Sequence, residues 1–112
     1  MEIQIAIERL AALAQETRLT LFRLLIQQGP AGLAAGELAE RLGVSPSNLS
    51  FHVAALERAG LVAGNRSGRS ILYAADYTAM NELLAYLYEN CCQGAGCAPA
   101  AKRPARASKE KS

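Results

Sequence analysis

The chain has 112 residues, 51% of them hydrophobic and 20% charged, with a formal net charge of +2. That length allows one domain with a small core, the apolar content excludes general disorder, and no apolar run approaches the length of a bilayer span. The N-terminus, Met1-Glu2-Ile3-Gln4, lacks the basic start and long apolar core of a secretory signal, so a cytoplasmic protein is expected.

The charge is unevenly placed. Residues 98–112 carry Lys102, Arg103, Arg106, Lys109 and Lys111 against Glu110, a balance of +4. Residues 1–97 hold seven arginines against nine acidic side chains, a balance of −2. The spacing predicts one domain over residues 1–97 and a disordered basic tail over 98–112. Any affinity of the body for a polyanion must come from a few placed arginines, because bulk charge does not supply it.

Residues 2–15 place Ile3, Ile7, Leu10 and Ala14 at helical spacing, with Ala6 and Leu13 beside them. This predicts an amphipathic helix whose stripe enters the core, part of it facing a second subunit. Thr17 is the expected cap of a second helix running to about Gln28, with Leu21, Phe22, Leu24 and Leu25 inward and Arg18 and Arg23 on the solvated side. Gly29-Pro30 ends it, and residues 31–35 read as a loop.

Residues 36–60 predict two helices joined by a tight turn. Gly36–Leu42 turns Leu38, Ala39 and Leu42 inward, Gly43 ends it and Val44 fills the corner. Ser45 is a good N-cap and Pro46 falls at the first helical position. Leu49, Val53 and Leu56 then repeat at i, i+4, i+7, and Gly60 suits a left-handed C-terminus. The N-terminal half of this helix is otherwise small and polar: Ser47, Asn48, Ser50 and His52. Helix, glycine turn, helix is the helix-turn-helix pattern, and such a face suits the DNA major groove. An ordinary helical hairpin with a polar exposed face is the alternative.

Beyond Gly60 the period shortens. Leu61-Val62-Ala63 and Ser70-Ile71-Leu72-Tyr73-Ala74 predict a β-hairpin around a polar tip, residues 64–69, that carries Arg66 and Arg69. After a recognition helix such a hairpin is a wing, able to reach phosphates or the minor groove. Asp76 is expected to cap a last helix, Tyr77 to about Asn90, with Met80, Leu83, Leu84 and Leu87 in one stripe widened by Tyr77, Tyr86 and Tyr88. So apolar a helix needs a partner surface, which a two-fold dimer through the first and last helices provides. The fold expected is mainly α with a β-hairpin wing.

The run Leu13-Ala14-Gln15-Glu16-Thr17-Arg18-Leu19, then Gly36-Glu37-Leu38-Ala39, then Ser45 through Val53, then Leu56-Glu57-Arg58-Ala59-Gly60-Leu61-Val62, and finally Arg66-Ser67-Gly68-Arg69 with Tyr73, resembles the ArsR/SmtB family of winged helix-turn-helix repressors. The likeness runs through about residues 5–90. It implies a homodimeric repressor that binds double-stranded operator DNA and leaves it on binding an inducer ion, with no catalytic cofactor. It also implies DNA-facing positions at Ser47, Asn48, Ser50 and His52 of the recognition helix; Ser45, Phe51 and the wing residues Arg66 and Arg69 are the further DNA-binding candidates.

The family's common cysteine pair on the first helix of the helix-turn-helix is absent from Gly36–Leu42. Its zinc site on the last helix needs several histidines, and His52 is the one histidine here. Instead Cys91-Cys92-Gln93-Gly94-Ala95-Gly96-Cys97 places all three cysteines within seven residues, with glycines that let the chain turn back. Three thiolates without a fourth ligand suit structural zinc poorly. They suit a soft three-coordinate ion, As(III) or Sb(III), and the spacing resembles that of an arsenic-responsive subgroup. Cys91, Cys92 and Cys97 are the expected ligands. A thiol-redox switch and a cadmium or lead sensor of the same fold are the alternatives, and a soft-ion scavenging protein is a third. No phosphate loop and no nucleophile–base pair is present to suggest an enzyme.

Overall fold

The computed structural model describes residues 1–94; Cys97 and the 98–112 tail lie outside the described residues. In chain order the elements are α1 (Ile3–Leu13), α2 (Glu16–Gln28), β1 (Leu33–Ala34), α3 (Ala35–Leu42), α4 (Pro46–Arg58), β2 (Val62–Ser67), β3 (Ser70–Ala75) and α5 (Tyr77–Tyr88), followed by a turn at Cys91–Gly94. The helices enclose one core to which Leu21, Leu25, Leu38, Val53, Leu56 and Leu61 contribute fully buried side chains. The architecture is mainly α with a β-hairpin wing, as expected.

The helix-turn-helix forms as the sequence dictates. Gly43 takes the left-handed conformation (φ 68°) that ends α3, which a side chain would strain. The Ser45 Oγ accepts the Asn48 amide at 3.1 Å and Pro46 opens α4. Leu49, Val53 and Leu56 are buried along the inner face of α4.

Several expectations need correction. The cap of α2 is Gln15, whose Oε1 accepts the Arg18 amide at 2.9 Å, and not Thr17. A longer amide side chain two residues earlier reaches the free N–H groups of the first turn. Arg18 is not simply solvated: its Nε donates to the Ala12 carbonyl at 2.7 Å, which ties α2 to the end of α1. The segment taken as a loop contains β1, whose Leu33 and Ala34 pair with Tyr73 and Leu72 of β3. Two residues are too few to show a period. Gly32 permits the approach (φ 77°), since a Cβ there would run into the Tyr73 carbonyl.

The hairpin also differs. Its ladder runs from Val62–Ala75 to Ser67–Ser70, so Arg66 sits within β2 opposite Ile71, and the turn narrows to Gly68 and Arg69. Cross-strand pairing overrides the turn signal of Gly64-Asn65, because Gly64 and Asn65 pair with Tyr73 and Leu72. The order in the sheet is β1-β3-β2, antiparallel throughout.

The outer helices depart most from the expected core. On α1 the inward residue is Ala6, whereas Ile3, Ile7 and Leu10 are exposed, Ile3 by 61%. On α5, Leu83 is buried but Leu84 and Leu87 are exposed, Leu87 by 55%. Periodicity finds an apolar stripe but not what covers it. Tyr77 does more than widen the apolar surface: its hydroxyl donates to the Ile26 carbonyl at 2.9 Å. Asp76 caps α5 through the Ala79 amide at 2.9 Å.

Candidate nucleic-acid interface and thiol cluster

The outer face of α4 is assembled from Ser47, Ser50, Phe51 and Arg58, all exposed, with Asn48 exposed on its flank. Ser45 stands exposed at the N-terminal end, its Oγ 3.3 Å from that of Ser47. His52 sits differently from its polar neighbours. It is half-buried, its Nδ1 is enclosed without a hydrogen-bond partner among the described residues, and its ring meets that of Phe51 edge-on at 5.3 Å. Only its far edge can take part in a surface contact. Arg66 and Arg69 are exposed on the wing. Two arginines that the pattern did not single out flank α4: Arg58 in its last turn and Arg18 across an open groove of about 580 Å³ that Glu8 and Phe51 also line.

Behind α4 a single side chain joins three helices. The Arg9 guanidinium of α1 donates to the Ala59 carbonyl at the end of α4 (3.3 Å) and to the Ala79 carbonyl of α5 (2.9 Å), and it lies 3.4 Å from Glu82. Its side chain is 13% exposed. Sequence reading passed over Arg9; the one available signal is a cation set among apolar residues of an amphipathic helix.

At the far end of α5 the chain turns through left-handed residues, Asn90, Cys92 and Gln93, with φ of 59°, 54° and 55°. Cysteine and glutamine rarely adopt this conformation, at a cost of about 1–3 kcal/mol each. The Sγ atoms of Cys91 and Cys92 lie 3.5 Å apart. Among the described residues no three His, Cys, Asp or Glu side chains converge; Cys97, the third expected ligand, lies outside them.

A helix-turn-helix domain model matches residues 13–65. The chain is 34% identical over 88 residues, 79% of each protein, to the transcriptional activator HlyU of Vibrio cholerae. It superposes with a TM-score of 0.68 on an ArsR-like transcriptional regulator from Rhodococcus sp. RHA1, at 34% identity over 79% of each chain. The chain belongs to the ArsR family. It is a DNA-binding transcriptional regulator of the winged helix-turn-helix type. A further structure, described as a possible transcriptional regulator for arsenical resistance, matches at 31% identity and a TM-score of 0.63, covering 71% of this chain and 80% of the other.

As an ArsR-family regulator the protein departs from the common pattern in one respect visible in the fold: α3, Ala35–Leu42, carries no cysteine. The structure brings Ser45, Ser47, Ser50 and Phe51 together on one side of α4 and leaves His52 partly behind them. Cys91 and Cys92 follow α5 in the chain and take no part in this face.

Proposed function

We propose that this ArsR-family regulator is a homodimeric repressor that leaves its operator when trivalent arsenic or antimony binds Cys91, Cys92 and Cys97. The observation that carries the proposal is the approach of the Cys91 and Cys92 sulfurs to 3.5 Å at the end of α5. Two thiolates at that separation reach one ion at metal–sulfur lengths of about 2.3 Å. The left-handed Cys92 and Gln93 add to it, since strained backbone collects at ligand sites. Likeness to a structure described as a possible transcriptional regulator for arsenical resistance supports the choice of ion. Bound, the ion supplies three soft thiolate bonds that fix the end of α5.

Dimerisation is supported by Ile3, Ile7 and Leu10 of α1 and Leu84, Leu87 and Tyr88 of α5, all exposed. Apolar surface on two adjoining helices is characteristic of a subunit interface. A two-fold axis there sets two α4 helices about one DNA turn apart. Ion binding at the end of α5 then acts on half-site spacing, not on the groove directly. A ligand shifts such an equilibrium by its differential affinity for the two geometries.

Within each protomer Arg9 is placed to transmit the change, because the same guanidinium holds α5 at Ala79 and the end of α4 at Ala59. Arg9→Ala leaves two carbonyls without this donor and is expected to lower stability by about 2–4 kcal/mol in urea denaturation. At arsenic concentrations that saturate the thiols, it is also expected to weaken the release of DNA. Unchanged release in a folded Arg9→Ala protein excludes it from the coupling.

Titration of the fully reduced protein with arsenite, followed by thiol counting, tests the ligand assignment. One ion per chain protecting all three thiols is expected; protection of two or fewer contradicts the three-cysteine site. A second reading, a thiol-redox repressor, draws on the same three cysteines within seven residues. It predicts release by peroxide and reversal by a reductant, with no effect of arsenite in reducing buffer.

A further inference from the structure

We infer that Phe51 is a specificity-determining residue that reads the 5-methyl group of a thymine in each operator half-site. The inference rests on the DNA-binding reading of α4 and specifies which base feature its exposed face selects. At 3.6 residues per turn, about 100° each, Phe51 stands opposite the stripe of Leu49, Val53 and Leu56 that enters the core. It is 62% exposed, and outside α1 and α5 only Met1 and Leu19 join it among the large exposed hydrophobics of the described residues. In the proposed dimer the apolar surface of α1 and α5 is covered by the second subunit. Phe51 lies on another face, that of the recognition helix, and the dimer does not account for it.

The neighbours of Phe51 on that face are short. Ser47 lies one turn before it, Ser50 precedes it, and Ala54 and Ala55 lie one turn after. Longer side chains, Glu8, Arg18 and Arg58, line the groove on one side of the ring, which is nonetheless 62% exposed. The edge-on contact with the half-buried His52, ring centroids 5.3 Å apart and planes at 72°, restricts its orientation. Arg18 and Arg58 on the adjoining groove are cations suited to the phosphates on either side of a groove contact.

The chemistry then selects the base. A phenyl ring offers no hydrogen bond to the polar edges of guanine, cytosine or adenine. In the major groove thymine alone presents a methyl group, and apolar side chains contact it. Burying one methyl is worth about fourfold in affinity, and two symmetric half-sites multiply this to about fifteenfold.

The test uses duplexes selected in vitro for binding to the full-length reduced protein. They are resynthesised with deoxyuridine in place of thymidine at one symmetric pair of positions at a time. Deoxyuridine keeps the base pair and its O4 acceptor and removes only the methyl. One pair of positions is expected to lose about fifteenfold in affinity. Phe51→Ala is expected to bind the unmodified duplex with the same deficit and to lose nothing further when those methyls are removed. Equal thermal unfolding of the two proteins excludes a folding defect, since the ring is exposed. Full affinity at every substituted position, or an undiminished methyl effect in Phe51→Ala, overturns the assignment while leaving the DNA-binding reading intact. A selection that enriches no sequence overturns both.

Discussion

Replacing any one of Cys91, Cys92 and Cys97 by serine is expected to leave operator binding intact and to remove its response to arsenite. The cysteines follow α5, whereas the side chains proposed to face DNA stand on α4 and on the wing, Val62–Ala75. Cys92 is exposed and Cys91 only half-buried, so a hydroxyl in place of either thiol enters no closed core. Affinity for DNA and the fold are therefore preserved. A hydroxyl is a hard, weakly acidic ligand and cannot replace a soft thiolate. Coupling between ion and DNA of 2–3 kcal/mol corresponds to roughly thirty- to a hundredfold weaker DNA binding in the arsenite-loaded protein. In each serine variant that ratio is expected to collapse towards one, measured by titrating labelled operator at fixed arsenite in reducing buffer. A variant that still releases DNA with the full ratio removes its cysteine from the site. The Cys97→Ser protein is the most informative of the three.

The second large effect concerns the dimer. Leu87→Glu is expected to convert the protein to a folded monomer and to weaken operator binding by about a thousandfold or more, towards the non-specific level. Leu87 is 55% exposed on α5, so glutamate there is solvated in the monomer and leaves the core untouched. In the dimer the same carboxylate is forced against the apolar residues of α1 and α5, where an unpaired charge costs several kcal/mol. A monomer engages one half-site and forfeits the gain from linking two binding events. Sedimentation equilibrium gives the mass and circular dichroism confirms the helices. A Leu87→Glu protein that remains dimeric, or a monomer that holds the operator at full affinity, contradicts this interface.

Local signals made the DNA-facing part of the fold legible in the sequence. Ser45, Pro46, Gly43 and Gly60 each have a direct backbone reason for their place, and Leu49, Val53 and Leu56 repeat with a helical period that the buried face of α4 reproduces. Where the reading failed, information from elsewhere in the chain decides the outcome. Leu33 and Ala34 become a strand only because β3 lies beside them. Gly64 and Asn65 look like turn residues but pair across the hairpin. Ile3, Ile7 and Leu10 carry the pattern of a core stripe and yet face outward, because a stripe does not say whether its cover belongs to the same chain. His52 shares the polarity of Ser47 and Asn48, but its position beside the buried stripe encloses half of it. Arg9 was invisible for a similar reason: its partners, at Ala59, Ala79 and Glu82, are fifty or more residues away.

The cysteines were legible as chemistry before they had any geometry. Three thiols within seven residues mark a candidate soft-ion or redox site by composition alone. The structure adds the 3.5 Å approach of two of them and the left-handed backbone that presents them.

The most direct measurement is fluorescence anisotropy of operator DNA from the region upstream of the protein's own reading frame, titrated with reduced protein with and without arsenite. Specific binding that is lost on addition of arsenite, and unaffected by zinc, is the result this account predicts. Specific binding that persists with the thiols reduced and arsenite in excess contradicts it, and assigns the three cysteines to another signal.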